Sequence, residues 1–378
     1  MFQKPQIRLK RLYVDKKSMQ DAMRTEGSFA WTDFVLFLET LEKHDMQILD
    51  VKELFARSET INDGKDETEK TDENNEKSSK ARNERENGND RSNRRDKRDR
   101  NERKDEKNRE DREGILLAAD EETSLLTNQI DIACVGYVPK ESDAWMRGAD
   151  IVVQSFEEVD FDYLERIWMR KQNLPWTVMT TERTILREMT TADLEELYQL
   201  YAKPQMTDYT EALFSNHQME KEYIEAYIEN CYRFYGYGLW LVIEKESGRI
   251  IGRAGIENKT YEEQGETRTG LELGYLIDKD LWGRGLATEV CKKIMEFVRD
   301  GMGEHRLEVF IRPENAASIR VAKKLGFSCV TEDLIFSCTT EDPKCYRTTE
   351  ELGFSRTTDM ACRKKNAEQT LLHFSALL

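Results

Sequence analysis

Apolar runs and amphipathic stretches alternate along the C-terminal half of the chain. The apolar runs predict strands at residues 239–243, 250–256, 271–277 and 307–311. Residues 286–299 carry apolar side chains every three or four positions, which predicts a helix with one buried face. Thr190 begins a Thr-x-x-Asp capping pattern, so a further helix is predicted to continue to Tyr201. This order predicts a mixed sheet flanked by helices, an α/β (α+β) fold.

The N-terminal half shows the same alternation on a smaller scale. Strands are predicted at residues 7–14, 46–49, 115–119, 130–137 and 149–153, and helices at residues 30–43, 122–128 and 160–170. Strands that alternate with helices are typical of a parallel sheet. We therefore predict a small α/β domain of unknown function, formed by residues 1–57 and 114–172. Asp120 follows a strand, and we interpret it as a helix N-cap rather than a nucleophile.

Residues 58–113 interrupt this domain with a different composition. They are nearly all Asp, Glu, Lys, Arg, Asn and Ser, and they distort the whole-chain values of 35% charged and 38% hydrophobic residues. Such a segment cannot bury enough apolar surface to offset its ordering entropy, so we predict a disordered insert that can be deleted without lowering the melting temperature. Its interleaved acidic residues, and the net charge of −16, argue against a nucleic-acid binder.

Composition also bears on the compartment. No stretch of about eighteen apolar residues and no signal-peptide pattern is present, so we expect no membrane partner. The seven cysteines are an odd number, which favours reduced thiols in the cytoplasm. Only four histidines occur and no Cys-x-x-Cys spacing is found, so no metal is predicted.

Two motifs carry the candidate chemistry. The first is Trp-Gly-Arg-Gly-Leu-Ala-Thr at residues 282–288, between a predicted strand and a predicted helix. A glycine turn at a helix N-terminus presents backbone N–H groups and a positive helix dipole to a phosphate. The second is Asn-Ala-Ala-Ser at residues 315–318, followed by Lys-Leu-Gly-Phe at residues 324–327. Glycines alone are a weak signal, but the second motif one β–α unit later makes it strong.

This pairing resembles the GNAT superfamily of acyl-CoA-dependent N-acetyltransferases, and within it the branch that acetylates ribosomal-protein N-termini. The resemblance begins at residues 181–188, which look like the family's first strand, and it covers residues 182–327. We predict the transferase domain at residues 177–338. It implies acetyl-CoA as co-substrate. It also implies a set of donor-binding residues: Gly283, Arg284, Gly285, Leu286, Ala287 and Thr288 for the phosphates, the backbone of Tyr275, Leu276 and Ile277 for the pantetheine arm and the thioester carbonyl, and Asn315 for pantetheine or as a helix cap.

The resemblance also suggests two catalytic residues. Glu272 is the leading candidate for the base that deprotonates the acceptor ammonium; the alternative is a solvent-facing or salt-bridged strand carboxylate. Ser318 is the candidate for protonating the departing thiolate; the alternative is a capping role in the first helical turn. Trp282 is interpreted as a packing residue.

Two features depart from the family pattern. Many members carry a Tyr seven residues after the Asn, and this chain has Ala322 there, as the ribosomal-type branch often lacks the Tyr. The family also adds two strands after the Gly-Phe pair. Here residues 333–338 offer one strand, and residues 339–378 form an atypical tail in which Glu-Leu-Gly-Phe at 351–354 echoes residues 324–327. A degenerate duplication and a reading-frame disturbance both account for that tail.

The sequence therefore predicts an N-acetyltransferase that transfers an acetyl group from acetyl-CoA to a primary amine, such as a protein N-terminal amino group. A small-molecule acceptor, such as a polyamine or an amino sugar, is the alternative within the same class. A non-catalytic acyl-CoA-binding module is the alternative from another class. The sequence does not define the oligomeric state.

Overall fold

The protein is described by a computed structural model that covers residues 8–24, 28–54, 112–125, 127–144, 146–263, 265–336 and 369–378. The chain divides into two compact units, Gln3–Leu174 and Pro175–Leu378. The predicted disordered insert at residues 58–113 falls almost entirely outside the described residues. No helix among the described residues is long and apolar enough to cross a membrane.

The first unit is built around a five-stranded parallel sheet with the order β2-β1-β3-β4-β5. Its elements are β1 Arg11–Val14, α1 Lys16–Met23, α2 Ser28–Glu42, β2 Gln47–Asp50, β3 Gly114–Ala118, α3 Glu121–Ser124, α4 Thr127–Ile130, β4 Ala133–Tyr137, β5 Ile151–Val153 and α5 Phe161–Lys171. Residues 51–54 are also helical. The central strands β3 and β4 are buried along their whole length, as expected for a parallel sheet covered on both faces.

Two apolar clusters cover the two faces of this sheet. Alternate residues of β1 separate between them, with Leu12 and Val14 in one cluster and Tyr13 in the other. The predicted parallel α/β fold is confirmed. The sequence analysis missed α1, and it merged α3 and α4 into one helix. Asp120 is the N-cap of α3, because its carboxylate accepts a hydrogen bond from the Thr123 backbone N at 2.7 Å.

The second unit contains an eight-stranded mixed sheet with the order β12-β13-β11-β10-β9-β8-β7-β6. Its strands are β6 Thr177–Thr180, β7 Thr184–Arg187, β8 Leu239–Glu244, β9 Ile250–Glu263, β10 Glu266–Ile277, β11 Arg306–Ile311, β12 Ser328–Phe336 and β13 Gln369–Leu377. Its helices are α6 Leu194–Tyr201, α7 His217–Tyr227, α8 Leu286–Glu296 and α9 Ala316–Lys324. The predicted mixed sheet flanked by helices is confirmed.

Local chemistry explains where several of these helices begin and end. Thr190 and Asp193 form the predicted capping box ahead of α6. At the end of α9, the Phe327 N–H donates to the Ala322 carbonyl and the Gly326 N–H to that of Lys323. Gly326 has a φ of +92° there, so this is a Schellman motif that needs glycine.

Strands β9 and β10 form a longer antiparallel hairpin than the sequence predicted. β9 continues past Ile256 to Glu263, and β10 starts at Glu266 rather than at residue 271. The extra segment alternates poorly, because polar residues such as Asn258 and Lys259 dominate it. It is stabilised by continuous pairing from Glu266–Glu263 to Ile277–Gly252.

The C-terminal tail takes part in the transferase sheet. The sequence analysis left residues 339–378 outside this domain, whereas the structure places β13 between β11 and β12 and pairs it antiparallel with both. Of the strand expected at residues 333–338, residues 333–336 belong to β12, which begins at Ser328, and residues 337–338 lie outside the described residues. Together β12 and β13 are the two strands that follow the Gly-Phe pair.

Candidate functional site

A turn with two left-handed glycines joins β10 to α8. Gly283 and Gly285 have φ values of +78° and +79°, and a Cβ built at Gly283 would meet nothing within 4 Å. Gly285 is the N-cap of α8 and offers no side-chain cap. The first-turn N–H groups of Leu286, Ala287 and Thr288 are therefore available to an external acceptor. Such a terminus suits a phosphate group.

Trp282 fixes the near side of this turn. Its indole Nε1 donates a hydrogen bond to the Ile277 carbonyl at 2.7 Å, while the side chain remains 46% exposed. The interpretation of Trp282 as a packing residue is therefore incomplete, since it ties the turn to the end of β10 through a hydrogen bond. Arg284, two residues further along the chain, has an exposed side chain.

Arg183 clamps the other side of the turn, and the sequence analysis missed it. Its Nη1 donates to the Arg284 carbonyl at 2.9 Å, and its Nε donates to Glu289 Oε2 at 2.7 Å. Burial alone would raise the pKa of Glu289, but hydrogen bonds from Thr181 and Arg183 hold that pKa below its usual value. The charged pair thus anchors the first turn of α8 to the start of β7.

Strands β10 and β11 separate toward their C-terminal ends. They run parallel, and their register has a single pair, Glu272 with Glu308. Beyond it, residues 273–277 pair with β9 on one side and have no partner in β11 among the described residues. Backbone groups of Tyr275, Leu276 and Ile277 therefore line an open wedge in the sheet. The wedge leads to the glycine turn, which follows directly after Ile277.

The second motif is placed on α9. Asn315 is the N-cap, because its Oδ1 accepts from the Ser318 N–H at 3.1 Å. Ser318 does not cap the helix with its own hydroxyl; its carbonyl accepts from the Tyr275 hydroxyl at 2.9 Å. Burial raises the pKa of Tyr275 well above its usual range. Ala322, the position at which the resemblance led us to look for a Tyr, is buried. Tyr275 thus connects the wedge strand to the helix of the second motif.

Glu272 lies on the face of the sheet away from α8 and α9. Tyr275 contacts α9, and side chains alternate along a strand, so Glu272 points to the opposite face. Its cross-strand partners are Glu257 on β9 and Glu308 on β11, which places three carboxylates in a row. Glu272 Oε2 is 3.5 Å from Lys259 Nζ. The salt bridge of the alternative interpretation is therefore present, and the catalytic role stays a prediction.

Glu308 is held by a buried group that includes a residue of the C-terminal strand. Its Oε2 is 2.7 Å from His373 Nε2, its Oε1 accepts from the Tyr261 hydroxyl at 3.2 Å, and Arg306 Nε also donates to it. Burial alone would raise the pKa of Glu308, but His373 and Arg306 hold that pKa below its usual value. His373 could not be found from the sequence, because the tail matched no known pattern.

Helix α7 covers the same face next to Glu257. The Tyr227 hydroxyl donates to Glu257 Oε1 at 2.8 Å and accepts from the Leu239 N–H at 2.6 Å. Tyr223 packs against Tyr227 with ring centroids 6.2 Å apart. The guanidinium carbon of Arg253 lies 5.9 Å from the Tyr227 ring centroid. The row of carboxylates therefore adjoins, at Glu257, a region formed by Tyr223, Tyr227 and Arg253.

Known proteins resemble the second unit of the chain, residues 175–378. The family model described as "Acetyltransferase (GNAT) domain" matches residues 183–328. The uncharacterized protein YkkB of Bacillus subtilis (strain 168) is 30% identical over 151 residues, which are 40% of this chain and 84% of YkkB. The uncharacterized N-acetyltransferase p20 of Bacillus licheniformis is 29% identical over 148 residues, or 39% of this chain and 80% of p20.

A solved structure of a putative ribosomal-protein-serine acetyltransferase from Vibrio cholerae is 18% identical, covers 54% of this chain and 98% of its own, and gives a TM-score of 0.36. The residues matched by the family model contain the glycine turn, both wedge strands and the second motif. Since the chain also covers most of a relative that is 30% identical to it, this protein belongs to the GNAT family of acetyltransferases.

Proposed function

We propose that this acetyltransferase transfers the acetyl group of acetyl-CoA to a primary amine. The observation that carries the proposal is the N-terminus of α8, which lacks a side-chain cap and follows, across residues 278–285, the C-terminal part of β10 that has no partner in β11 among the described residues. A helix N-terminus with free N–H groups suits a pyrophosphate, and an open strand edge suits the amide groups of a pantetheine arm. Acetyl-CoA supplies the activated acetyl group.

The residues that hold the donor follow from this placement. The N–H groups of Leu286, Ala287 and Thr288 bind the pyrophosphate, and the exposed Arg284 adds a positive charge. Backbone groups of residues 275–277 on the β11 side orient the pantetheine arm and polarise the thioester carbonyl. Asn315 uses its Oδ1 as a cap, so its amide nitrogen remains for the pantetheine arm.

The acceptor amine binds on the opposite face, where Glu272 takes the proton from its ammonium group. The resulting lone pair on nitrogen forms the new amide bond. Neighbouring Glu257 adds negative charge that favours a cationic acceptor before this proton is lost. On the α9 side, we assign to the Ser318 hydroxyl the return of a proton to the sulfur that leaves.

Glu272→Gln tests the base directly. The amide keeps the shape of the side chain but cannot take a proton, so kcat should fall about 10²–10⁴-fold while the acetyl-CoA Kd stays nearly unchanged. The rising limb of the wild-type pH–rate profile should disappear. Glu266→Gln, on the same strand but 74% exposed, is the matched control and should keep wild-type kinetics. A Glu272→Gln variant with normal kcat and an unchanged pH–rate profile would show that Glu272 is not the base. The proton would then pass to water, or the acceptor would bind as the neutral amine.

A panel of acceptors separates the proposed function from its alternatives. Thiol release from acetyl-CoA is followed with N-terminal peptides, polyamines and amino sugars. Turnover with peptides supports a protein N-terminus as acceptor, and turnover restricted to small amines supports the small-molecule alternative. Tight acetyl-CoA binding without thiol release for any amine would identify a binding module.

The proposal extends to the organisation of the chain. We assign the reaction to residues 177–338 together with β13, and we propose that the first unit recruits the substrate or forms a dimer. The buried thiols of Cys134 and Cys291 favour a reducing compartment such as the cytoplasm, since burial raises the pKa of both.

A further inference from the structure

Arg253 on β9 is a buried cation that has no acidic partner among the described residues. Only 9% of its surface is exposed, and its Nε is enclosed without any hydrogen bond. Within the part of the chain that the structure describes, its guanidinium forms no ion pair and no hydrogen bond. An arginine cannot release its proton in a protein, so the charge is permanent. A buried charge without a partner is costly, so its retention calls for an explanation.

The surroundings of Arg253 are aromatic rather than acidic. Tyr201, Tyr223, Tyr227 and Tyr232 lie within electrostatic range of the guanidinium. Glu188 is a buried carboxylate close enough to raise the pKa of Tyr232, which Arg253 lowers. In the described structure, however, Glu188 forms no ion pair with Arg253. The Tyr227 ring, 5.9 Å away, offers a cation–π contact, which compensates only part of the charge. The tyrosine hydroxyls add polarity without adding a negative charge.

Arg253 shares its face of the sheet with the proposed base. Arg253 and Glu257 are four residues apart on β9, so both side chains lie on one face with about 14 Å between their Cα atoms. Glu257 is the cross-strand partner of Glu272. Tyr227 joins the two ends, because its hydroxyl binds Glu257 and its ring faces Arg253. One end of this row is therefore negative and the other positive.

We propose that Arg253 is a specificity residue that binds an anionic group of the acceptor, a carboxylate or a phosphate, while the amine of the same molecule reaches Glu272. The acceptor is then an amine whose anionic group lies several bonds from the reacting nitrogen. A planar guanidinium forms two parallel hydrogen bonds to such oxyanions, which suits this role. This inference rests on the proposed function, because it uses the acceptor face that Glu272 defines.

A matched series of acceptors tests the idea on the full chain. The series contains linear ω-amino carboxylates of increasing length, the corresponding ω-amino amides, and ω-aminoalkyl phosphates. For at least one chain length, the wild-type protein should prefer the anionic acceptor over the neutral amide by about 10- to 100-fold in kcat/KM. The carboxylate and phosphate arms show which oxyanion fits better. Equal kcat/KM for anionic and neutral acceptors at every length would overturn the proposal.

Arg253→Met should remove this preference and leave the kcat/KM of the neutral amides and the Kd of acetyl-CoA unchanged within about two-fold. Arg249→Met, in the exposed turn before β9, removes the same charge and should keep the preference. An equal loss for neutral and anionic acceptors in folded Arg253→Met would instead assign the residue to packing. A weakened acetyl-CoA Kd would assign it to the donor. If Arg253→Met does not fold, Arg253→Lys takes its place, because lysine keeps the charge but cannot form the paired hydrogen bonds. An Arg253→Lys variant that prefers anionic acceptors as strongly as wild type would contradict the proposal.

Binding by calorimetry separates this inference from the proposed function. The same acceptors are titrated into the protein with CoA present, so that no turnover is needed. Tighter binding of the anionic member, lost in the Arg253 variant, would support the anion site even if no amine were acetylated. Turnover of amines without any such binding preference would retain the proposed function and overturn the anion site.

Discussion

At the scale of single residues, Gly285 combines a backbone requirement with a proposed ligand contact. Its φ of +79° is costly for a β-branched residue, and the N–H groups of the proposed phosphate cradle begin at the next residue, Leu286. Gly285→Val should weaken acetyl-CoA binding at least tenfold and destabilise the fold by about 1–2 kcal/mol. Calorimetric titration with thermal unfolding measures both effects.

Gly248 provides the matched control for this substitution. It has a φ of +71° in the turn between β8 and β9, and a Cβ there would meet nothing within 4 Å, whereas a Cβ at Gly285 would meet only Arg183 Nη2, at 3.9 Å. Gly248→Val should therefore cost similar stability but leave acetyl-CoA binding unchanged. Equal acetyl-CoA affinities for the two variants would show that the turn at Gly285 does not bind the phosphates.

Glu308 makes the stability of the fold depend on pH. Its pKa is lower in the folded protein than in the unfolded chain, so it contributes stability above the unfolded pKa. That contribution is lost as the pH falls from about 5 through the folded pKa. Glu308→Gln should cost about 3–5 kcal/mol near pH 7, because it removes the buried carboxylate that binds Arg306, His373 and Tyr261, and it should make the acid limb of stability shallower.

Denaturant unfolding at several pH values measures this effect. Glu262→Gln, an exposed carboxylate on β9, is the control and should reproduce the wild-type pH dependence. A Glu308→Gln variant whose stability and acid limb both match those of wild type would show that the buried group contributes nothing to stability.

At the scale of elements, β13 holds the end of the transferase sheet together. It pairs with β11 on one side and β12 on the other, and Phe374 on it is 1% exposed. Deleting residues 369–378 would leave β11 and β12 without a shared neighbour and Glu308 without His373. We expect loss of cooperative unfolding and of acetyl-CoA binding, measured by circular dichroism and calorimetry.

Leu377→Ser is the control within the same strand, since that side chain is 86% exposed. It should change the free energy of unfolding by less than about 0.5 kcal/mol. A truncated protein that unfolds at the wild-type temperature would show that β13 adds no stability.

The elements that the sequence predicted well are those with a strong local signal. Helix α8 has apolar residues at regular helical spacing on one face. Helix α9 ends in a Schellman motif, which the glycine at position 326 indicates in the sequence. The extension of β9 beyond Ile256 was missed because its polar residues are ordered by pairing with β10, which is a tertiary effect. For the same reason, the cross-strand row of Glu257, Glu272 and Glu308 depends on register, which no single strand encodes.

At the scale of the whole molecule, the two units should function separately. Each has its own sheet and its own apolar core, and the matched family residues lie entirely within the second unit. A fragment of residues 175–378 should therefore bind acetyl-CoA with a Kd within about two-fold of that of the full chain.

Calorimetry on the fragment and on the full chain decides this point, with circular dichroism to establish that the fragment is folded. A folded fragment that binds acetyl-CoA much more weakly would place part of the donor site in the first unit.

The position of β13 also sets the order of events during protein synthesis. Gln369 lies 58 residues after Ile311, so the ribosome adds the partner strand of β11 about 3–12 seconds after β11 itself. During that interval β11 has an unpaired edge, which is a template for pairing with other chains. A nascent transferase domain therefore depends on chaperones or on rapid translation in this window, and slowing translation between these strands should lower its soluble yield.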